Sequence, residues 1–155
     1  MTHAVVLANR LVLETGSELS AKAIARIRET LDGLAKMGIR EVAVVDGRHA
    51  DALRDQLRLH ELPELRVRVL SNTSWKNLSG AAVLIARDWI EESDRCLVVR
   101  GERPLDEETL RLLGQIDLAD SAADAAIIVA TGPETDPGTE FRVKFTREDD
   151  TDLMT

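Results

Sequence analysis

Short β-branched runs alternate with helical patterns along this chain, and that alternation limits its fold more than any other feature. Strands are predicted at residues 3–8 (HAVVLA), 41–46 (EVAVVD), 65–70 (LRVRVL), 96–99 (CLVV), 125–130 (AAIIVA) and 140–146 (EFRVKFT). Helices are predicted between the earlier strands, and such crossovers give parallel neighbours with helices on both faces of the sheet. We therefore expect a three-layer α/β domain with a mainly parallel sheet. The alternating run at 65–70 is typical of a sheet edge or a half-exposed face, and the run at 140–146 of an edge or hairpin strand.

The predicted helices are recognised by apolar residues that recur every three or four positions. The first carries Ala21, Ile24, Ile27, Leu31 and Leu34, with Ser17 or Ser20 as N-cap and Gly38 at its end. The second carries Ala50, Leu53 and Leu57 with His60, and is stopped by Pro63. The third covers residues 78–92 with Ala82, Ile85, Ala86 and Trp89, and the fourth covers Glu107–Leu118 after Asp106 as N-cap.

Composition narrows the classes of protein that this chain can belong to. With 155 residues, 44% of them apolar, it is long enough for one domain with a real core. We assign residues 1–146 to that domain and the acidic residues 147–155 to a tail or linker. A net charge of −8 disfavours a nucleic-acid surface. Cys96 is the single cysteine, so a disulfide framework is excluded and a reducing, cytoplasmic setting is favoured. Because it lies in an apolar strand, we expect its thiol to be buried and unreactive.

Ligands of open α/β sheets bind beyond the carboxyl ends of the strands, so function is expected in the loops there. These loops are residues 9–18, 46–49, 71–80, 100–105 and 131–139. The three histidines, His3, His49 and His60, are too scattered for a metal site, although His49 falls in one of these loops. Trp89 lies on the apolar stripe of a predicted helix and is expected in the core. Trp75 could form part of a pocket for a nucleobase, but a packing role is the favoured interpretation.

Two segments raise a resemblance to a known family. They are NTSWKNLSGAAVLIAR at 72–87 and LDGLAKMGIREVAVVDGRHADALRDQL at 31–57. In order and spacing, residues 3–118 resemble sugar-phosphate nucleotidyltransferases, especially the inositol-phosphate cytidylyltransferase domains fused to CDP-alcohol phosphatidyltransferases. The resemblance implies a Rossmann-like nucleotidyltransferase-like fold, nucleotide contacts from Asn72, Ser79 and Gly80, and a magnesium ligand at Glu102.

The chain departs from that family in the loop after its first strand. The family has a glycine-rich loop there, whose amides hold the triphosphate, with a Pro-Lys pair behind it. Here the residues read LANRLVLETGSELS, with Gly16 alone and no Pro-Lys pair. A residue with a Cβ cannot freely adopt positive φ or let the backbone close around phosphate oxygens. Arg10 and Lys22 remain as candidate phosphate partners.

The carboxylate of Glu102 has two readings. It could bind Mg²⁺ as the longer counterpart of the family's aspartate. Arg100 and Arg103 flank it, however, and they would compete with the cation for the carboxylate. We therefore favour a solvated or salt-bridged acid at this position.

The hypothesis that follows is a degenerate, non-catalytic nucleotidyltransferase-like domain that acts as a binding, regulatory or assembly module. Its expected partners are a nucleotide or phosphorylated small molecule and, from the resemblance, a membrane-embedded phosphatidyltransferase domain that would tether it at the membrane. No catalytic residue or cofactor is assigned. The alternative is an active, divergent nucleotidyltransferase that uses Mg²⁺ at Glu102 with Arg10 or Lys22. A third reading is a homodimer formed through an edge strand at 65–70 or 140–145.

Overall fold

A computed structural model describes residues 2–8, 20–59, 62–73, 79–93, 95–101, 105–116, 145–148 and 151–154. The chain divides into two compact units, Met1–Gln115 and Ile116–Thr155. The predicted strand at 125–130, the loop at 131–139 and His60 lie outside the described residues. The predicted domain boundary at residue 146 stays a prediction.

The first unit contains a four-stranded parallel sheet in the order β3-β2-β1-β4. Its elements, in chain order, are β1 His3–Leu7, α1 Ala21–Lys36, β2 Glu41–Asp46, α2 Ala50–Arg58, β3 Arg66–Ser71, α3 Ser79–Ile85, α4 Arg87–Glu91, β4 Cys96–Arg100 and α5 Glu107–Gln115. This arrangement confirms the predicted α/β class and the parallel sheet. It also confirms that β3 is an edge strand of the described sheet.

Apolar side chains cover both faces of this sheet. On one face, β-strand residues such as Val6 and Val44 pack with Ile27 of α1, Leu53 of α2 and Leu110 of α5. On the other face, Val5 and Val45 pack with α3 and α4 through Ala82, Ala86 and Trp89. The two central strands are therefore buried on both sides, which is why they read as continuous apolar runs. The three-layer prediction is confirmed.

Local capping chemistry places the ends of α1. The Ser20 hydroxyl accepts a hydrogen bond from the Ala23 N–H at 3.1 Å, so Ser20 is the N-cap. Gly38 follows the helix with φ of 85°, a conformation that favours glycine. The buried face differs from the predicted stripe, because Ala21 is exposed and Ile24 half-buried, while Ala23 and Thr30 are buried. The Thr30 hydroxyl donates to the Arg26 carbonyl at 3.0 Å, which permits its burial.

Several predicted boundaries were wrong. The single helix expected at 78–92 is interrupted at Ala86, whose φ of −90° and ψ of 9° separate α3 from α4, and Ile85 is exposed. α2 ends at Arg58, before the predicted stop at Pro63, and α5 ends at Gln115, before the predicted Leu118, since helix ends are the least certain part of a sequence-based assignment. β3 lies one residue later than predicted. Asp106 does cap α5, since its carboxylate accepts the Thr109 N–H at 2.8 Å.

The second unit is described only at its end, where two short strands form an antiparallel hairpin. They are β5 Phe145–Glu148 and β6 Thr151–Met154. The hairpin reading of the last predicted strand is thus confirmed for Phe145 and Thr146. Strand pairing extends through Arg147, Glu148 and 151–154, within the acidic segment assigned to a tail or linker, and that assignment stays a prediction.

Candidate functional site

The carboxyl ends of the four parallel strands meet along one edge of the sheet. Backbone pairing continues just past the strands: the Ala8 N–H donates to the Val45 carbonyl at 2.9 Å and the Gly101 N–H donates to the Leu7 carbonyl at 2.9 Å. The Asn72 N–H donates to the Asp46 carbonyl at 2.6 Å. The loops that leave β2 and β3 therefore start side by side at the carboxyl edge of the sheet, the edge at which sheets of this kind bind ligands.

Asp46 is the acid at the end of β2, and it is almost completely buried, with 1% of its surface exposed. Its Oδ2 accepts a hydrogen bond from the His49 N–H at 2.9 Å, which closes the turn into α2. Burial raises the pKa of the Asp46 carboxyl above its usual value, against the lowering effect of hydrogen bonds from the His49 and Gly47 amides. A carboxyl held in this way is costly to ionise where it stands.

His49 follows in the same turn and precedes the first residue of α2. It is 9% exposed, and its side chain makes no capping hydrogen bond to the helix. Its Nε2 is buried without a hydrogen-bond partner in the part of the chain that the structure describes. A buried ring nitrogen next to a helix N-terminus is chemically suited to bind a polar ligand group.

Asn72 is the one predicted site residue whose side chain the structure describes at this edge. It is fully buried at the end of β3, beside Asp46 on β2. The structure thus brings Asn72 to the same short stretch of edge as Asp46 and His49. We call these three buried residues the edge cluster. An amide, a carboxyl and an imidazole together offer both donors and acceptors to a ligand that carries hydroxyl or phosphate groups.

The other predicted site residues contribute less to this picture. Ser79 and Gly80 begin α3, as expected for a helix start, and their side chains are outside the description. Lys22 is exposed in the first turn of α1. Arg10, Glu102 and Trp75 lie outside the described residues, so their roles stay predictions. Within the described ranges, no group of three or more His, Cys, Asp or Glu side chains could hold a metal ion.

Asp46 was not among the site residues predicted from the sequence. The signal was present in EVAVVDG, because an acid that ends a wholly apolar parallel strand and precedes a glycine falls at the ligand edge. The burial of His49 could not have been read from its exposed neighbour Arg48. Both residues depend on the close approach of β2 and β3, which is a tertiary feature.

Two other expectations concern residues away from this edge. Trp89 is 6% exposed, which confirms its place in the core, and the Arg68 guanidinium lies 5.0 Å from its ring centroid. The His3 ring meets Trp89 edge-on, with centroids 5.5 Å apart. Cys96 is half-buried, and loss of solvation raises the pKa of its thiol to about 11. The prediction of a protonated, unreactive thiol is consistent with this value.

Comparison with known proteins supports the fold. No protein-family model matches the chain, and no curated protein matches it. Among solved structures, a nucleotidyl transferase from Methanothermobacter thermautotrophicus (Mth528) is similar, with a TM-score of 0.51 and 23% identity. The match covers 74% of this chain and 57% of the other, so the chain spans little more than half of that protein's length. The chain therefore has a nucleotidyltransferase-like α/β fold.

No helix among the described residues has both the length and the apolar character needed to cross a membrane.

Proposed function

We propose that this chain is a nucleotidyltransferase-like binding module that holds a nucleotide or another phosphorylated small molecule without transferring a nucleotidyl group. The ligand would lie at the carboxyl edge of the sheet, over the edge cluster. The observation that carries the proposal is the combination of a retained parallel scaffold, a buried polar cluster at its ligand edge and a first loop with one glycine.

The edge cluster supports binding because its groups are unfavourable for stability alone. A buried carboxyl with a raised pKa and a buried imidazole nitrogen both lose solvation on folding. Such groups persist most often where a ligand or a reaction uses them, since stability alone would replace them. Their position at the carboxyl edge is where this class of sheet binds ligands.

The first loop is the reason to propose binding without transfer. A triphosphate needs several main-chain N–H groups directed at one centre, and glycines make that curvature accessible. Residues 9–19 contain Gly16 alone. Two arginines flank Glu102 and oppose a cation at that carboxylate. The alternative, an active divergent nucleotidyltransferase with Mg²⁺ at Glu102, is the outcome against which the proposal is tested.

Binding is tested by thermal unfolding with cytidine mono-, di- and triphosphate and with a phosphorylated polyol, each with and without Mg²⁺. At least one ligand is expected to raise the unfolding temperature, and His49→Gln is expected to weaken its binding by about tenfold. His3→Gln makes the same exchange at the opposite end of the sheet and should bind as the wild type does. Equal losses in both variants, or no ligand that binds, would contradict the site.

Transfer is tested separately by pyrophosphate release from nucleoside triphosphates with phosphorylated acceptors and Mg²⁺. We expect none above the level without protein. Release that is lost in Glu102→Ala, but kept when the exposed Glu107 is changed to Ala, would establish the enzymatic alternative and overturn the non-catalytic proposal.

The biological setting is a further part of this proposal and rests on the resemblance alone. We propose a cytoplasmic domain associated with, or fused to, a membrane-embedded CDP-alcohol phosphatidyltransferase. Reading the coding region on both sides of this segment tests it. An adjoining or continuous phosphatidyltransferase is expected, and its absence together with failure to bind such an enzyme would contradict the setting without touching the binding site.

A further inference from the structure

The outer edge of β3 carries main-chain groups that point away from the described sheet. β3 pairs with β2 alone among the described strands. The N–H groups of Arg66 and Asn72 donate to carbonyls on the β2 side, at 2.8 and 2.6 Å. In a parallel ladder the residues between them alternate, so Val67, Val69 and Ser71 direct their N–H and C=O groups outward. Outward groups of this kind can pair with an added strand.

Little of the described chain covers this edge. The Val69 carbonyl accepts one hydrogen bond from Arg54 Nη2 of α2, at 3.3 Å. No described residue makes a hydrogen bond to the outward N–H and C=O of Val67. Arg54 is itself paired with the exposed Asp51 at 2.6 Å. A long side chain at hydrogen-bond distance can be displaced by an incoming backbone, so no residue within the described ranges prevents an added strand from pairing here.

A groove of about 530 Å³ runs beside this edge, between β3, the end of α2 and the loop before β3. Apolar residues and arginines line it: Leu57, Leu62, Pro63, Leu65, Val67 and Val69, together with Arg54, Arg58 and Arg68. None of its described lining residues is acidic. The whole chain has a net charge of −8, so this concentration of arginines is opposite in sign to the molecule.

We propose that this edge, which we call the β3 edge, binds an extended segment of a partner protein in which acidic and apolar residues alternate. Val67 and Val69 lie on the α2 face of the sheet, and Arg66 and Arg68 lie on the other face. An added strand places its successive side chains on these same two faces. Its apolar residues would enter the groove, and its acids would lie opposite Arg66 and Arg68.

A second copy of the chain fits this edge poorly. Two β3 strands paired antiparallel about Val67 would place Arg66 of each copy opposite Arg68 of the other. Like charges directly across a strand pair repel, whereas acids in those positions attract. The charge pattern therefore selects an acidic partner over a homodimer through the β3 edge.

A pair of synthetic peptides tests the proposal without altering the protein. The probe is acetyl-Glu-Val-Glu-Leu-Glu-Val-amide, and the control has lysine in place of each glutamate. In a titration of ¹⁵N-labelled protein, we expect the Glu peptide to shift the amide signals of Val67, Val69 and Ser71, and the Lys peptide to leave them unchanged. Binding should weaken as salt screens the pairs. Equal effects of the two peptides, or shifts elsewhere only, would overturn the proposal.

A charge reversal provides the second test. Arg66→Glu combined with Arg68→Glu should weaken binding of the Glu peptide at least about tenfold, because these are the arginines that its acids would face. The matched control is Arg87→Glu combined with Arg111→Glu, which reverses two exposed arginines outside the groove lining and should bind unchanged. Equal binding by both double variants would contradict the β3 edge. A concentration-dependent dimer in sedimentation, with its two β3 strands paired through Val67, would also contradict the proposal. If the first double variant does not fold, the two peptides on wild-type protein still decide the question.

Discussion

Asp46 is a residue whose burial is unfavourable for stability but suits the proposed binding site. It is buried at the end of β2, and its carboxyl accepts hydrogen bonds from backbone N–H groups of its own turn. The raised pKa of its carboxyl means that the folded state holds a proton more tightly than the unfolded state does. The stability from this group is therefore fully present below the ordinary pKa of an aspartate and is lost as the pH rises through the folded pKa.

Asp46→Asn removes that titration while keeping the shape and an acceptor for the His49 N–H. The unfolding free energy of the wild type minus that of the variant should therefore decrease as the pH rises from about 3 to 7. Urea denaturation across that range measures it. The same exchange at the exposed Asp55 controls for the loss of one negative charge. A difference that grows with pH would show that the buried carboxyl is stabilised as an anion.

Gly38 is a second residue whose role is defined by its backbone. Its N–H donates to the Ala35 carbonyl at 2.9 Å, and the next N–H, that of Ile39, donates to the Leu34 carbonyl at 3.1 Å, which closes the end of α1. A Cβ at this position would meet nothing within 4 Å, so the cost of Gly38→Ala comes from positive φ alone. We expect a loss of about 1 kcal/mol in unfolding free energy. An unchanged denaturation midpoint would contradict this explanation.

At the scale of elements, the contact between α1 and α5 depends on a small residue. A Cβ added to Gly33 of α1 would lie 3.0 Å from Cδ1 of Leu110 in α5, which is closer than side chains normally approach. Gly33→Ala is therefore expected to force Leu110 to move and to lower the unfolding free energy by about 1 kcal/mol, even after the gain in helix propensity.

Gly114→Ala, in α5, is the matched control for that prediction. The added Cβ there would lie 3.4 Å from the flexible end of Met37, an ordinary contact. The helix propensity of alanine should then raise the unfolding free energy by up to about 1 kcal/mol. Chemical denaturation of both variants compares them directly. If Gly33→Ala were as stable as Gly114→Ala, the close approach of α1 and α5 would not depend on the glycine.

The sequence predicted best the elements that carry a local capping residue or apolar residues on both faces. EVAVVD marks β2 to the residue, because a central parallel strand is apolar on both faces. Ser20 and Gly38 mark the ends of α1, since capping acts over one turn. The break at Ala86 had no such signal, because alanine favours a continuous helix and the interruption between α3 and α4 has no local cause in the sequence.

At the scale of the whole molecule, the parallel direction of the four strands followed from the alternation of strand and helix, and the solved nucleotidyl transferase supports the fold that the resemblance implied. The site was predicted less completely. Asn72 was selected through the family resemblance, whereas Asp46 and His49 required knowledge that β2 and β3 end side by side. Which buried polar groups meet is decided by tertiary packing, which periodicity does not encode.

The central claim is that this scaffold binds its ligand without a triphosphate cradle. Isothermal titration with CTP, in the presence and absence of Mg²⁺, tests it most directly. We expect that Mg²⁺ does not confer micromolar affinity for CTP, because the first loop has too few glycines to direct its amides at three phosphates. Micromolar binding of CTP that requires Mg²⁺ would show that the chain does hold a triphosphate.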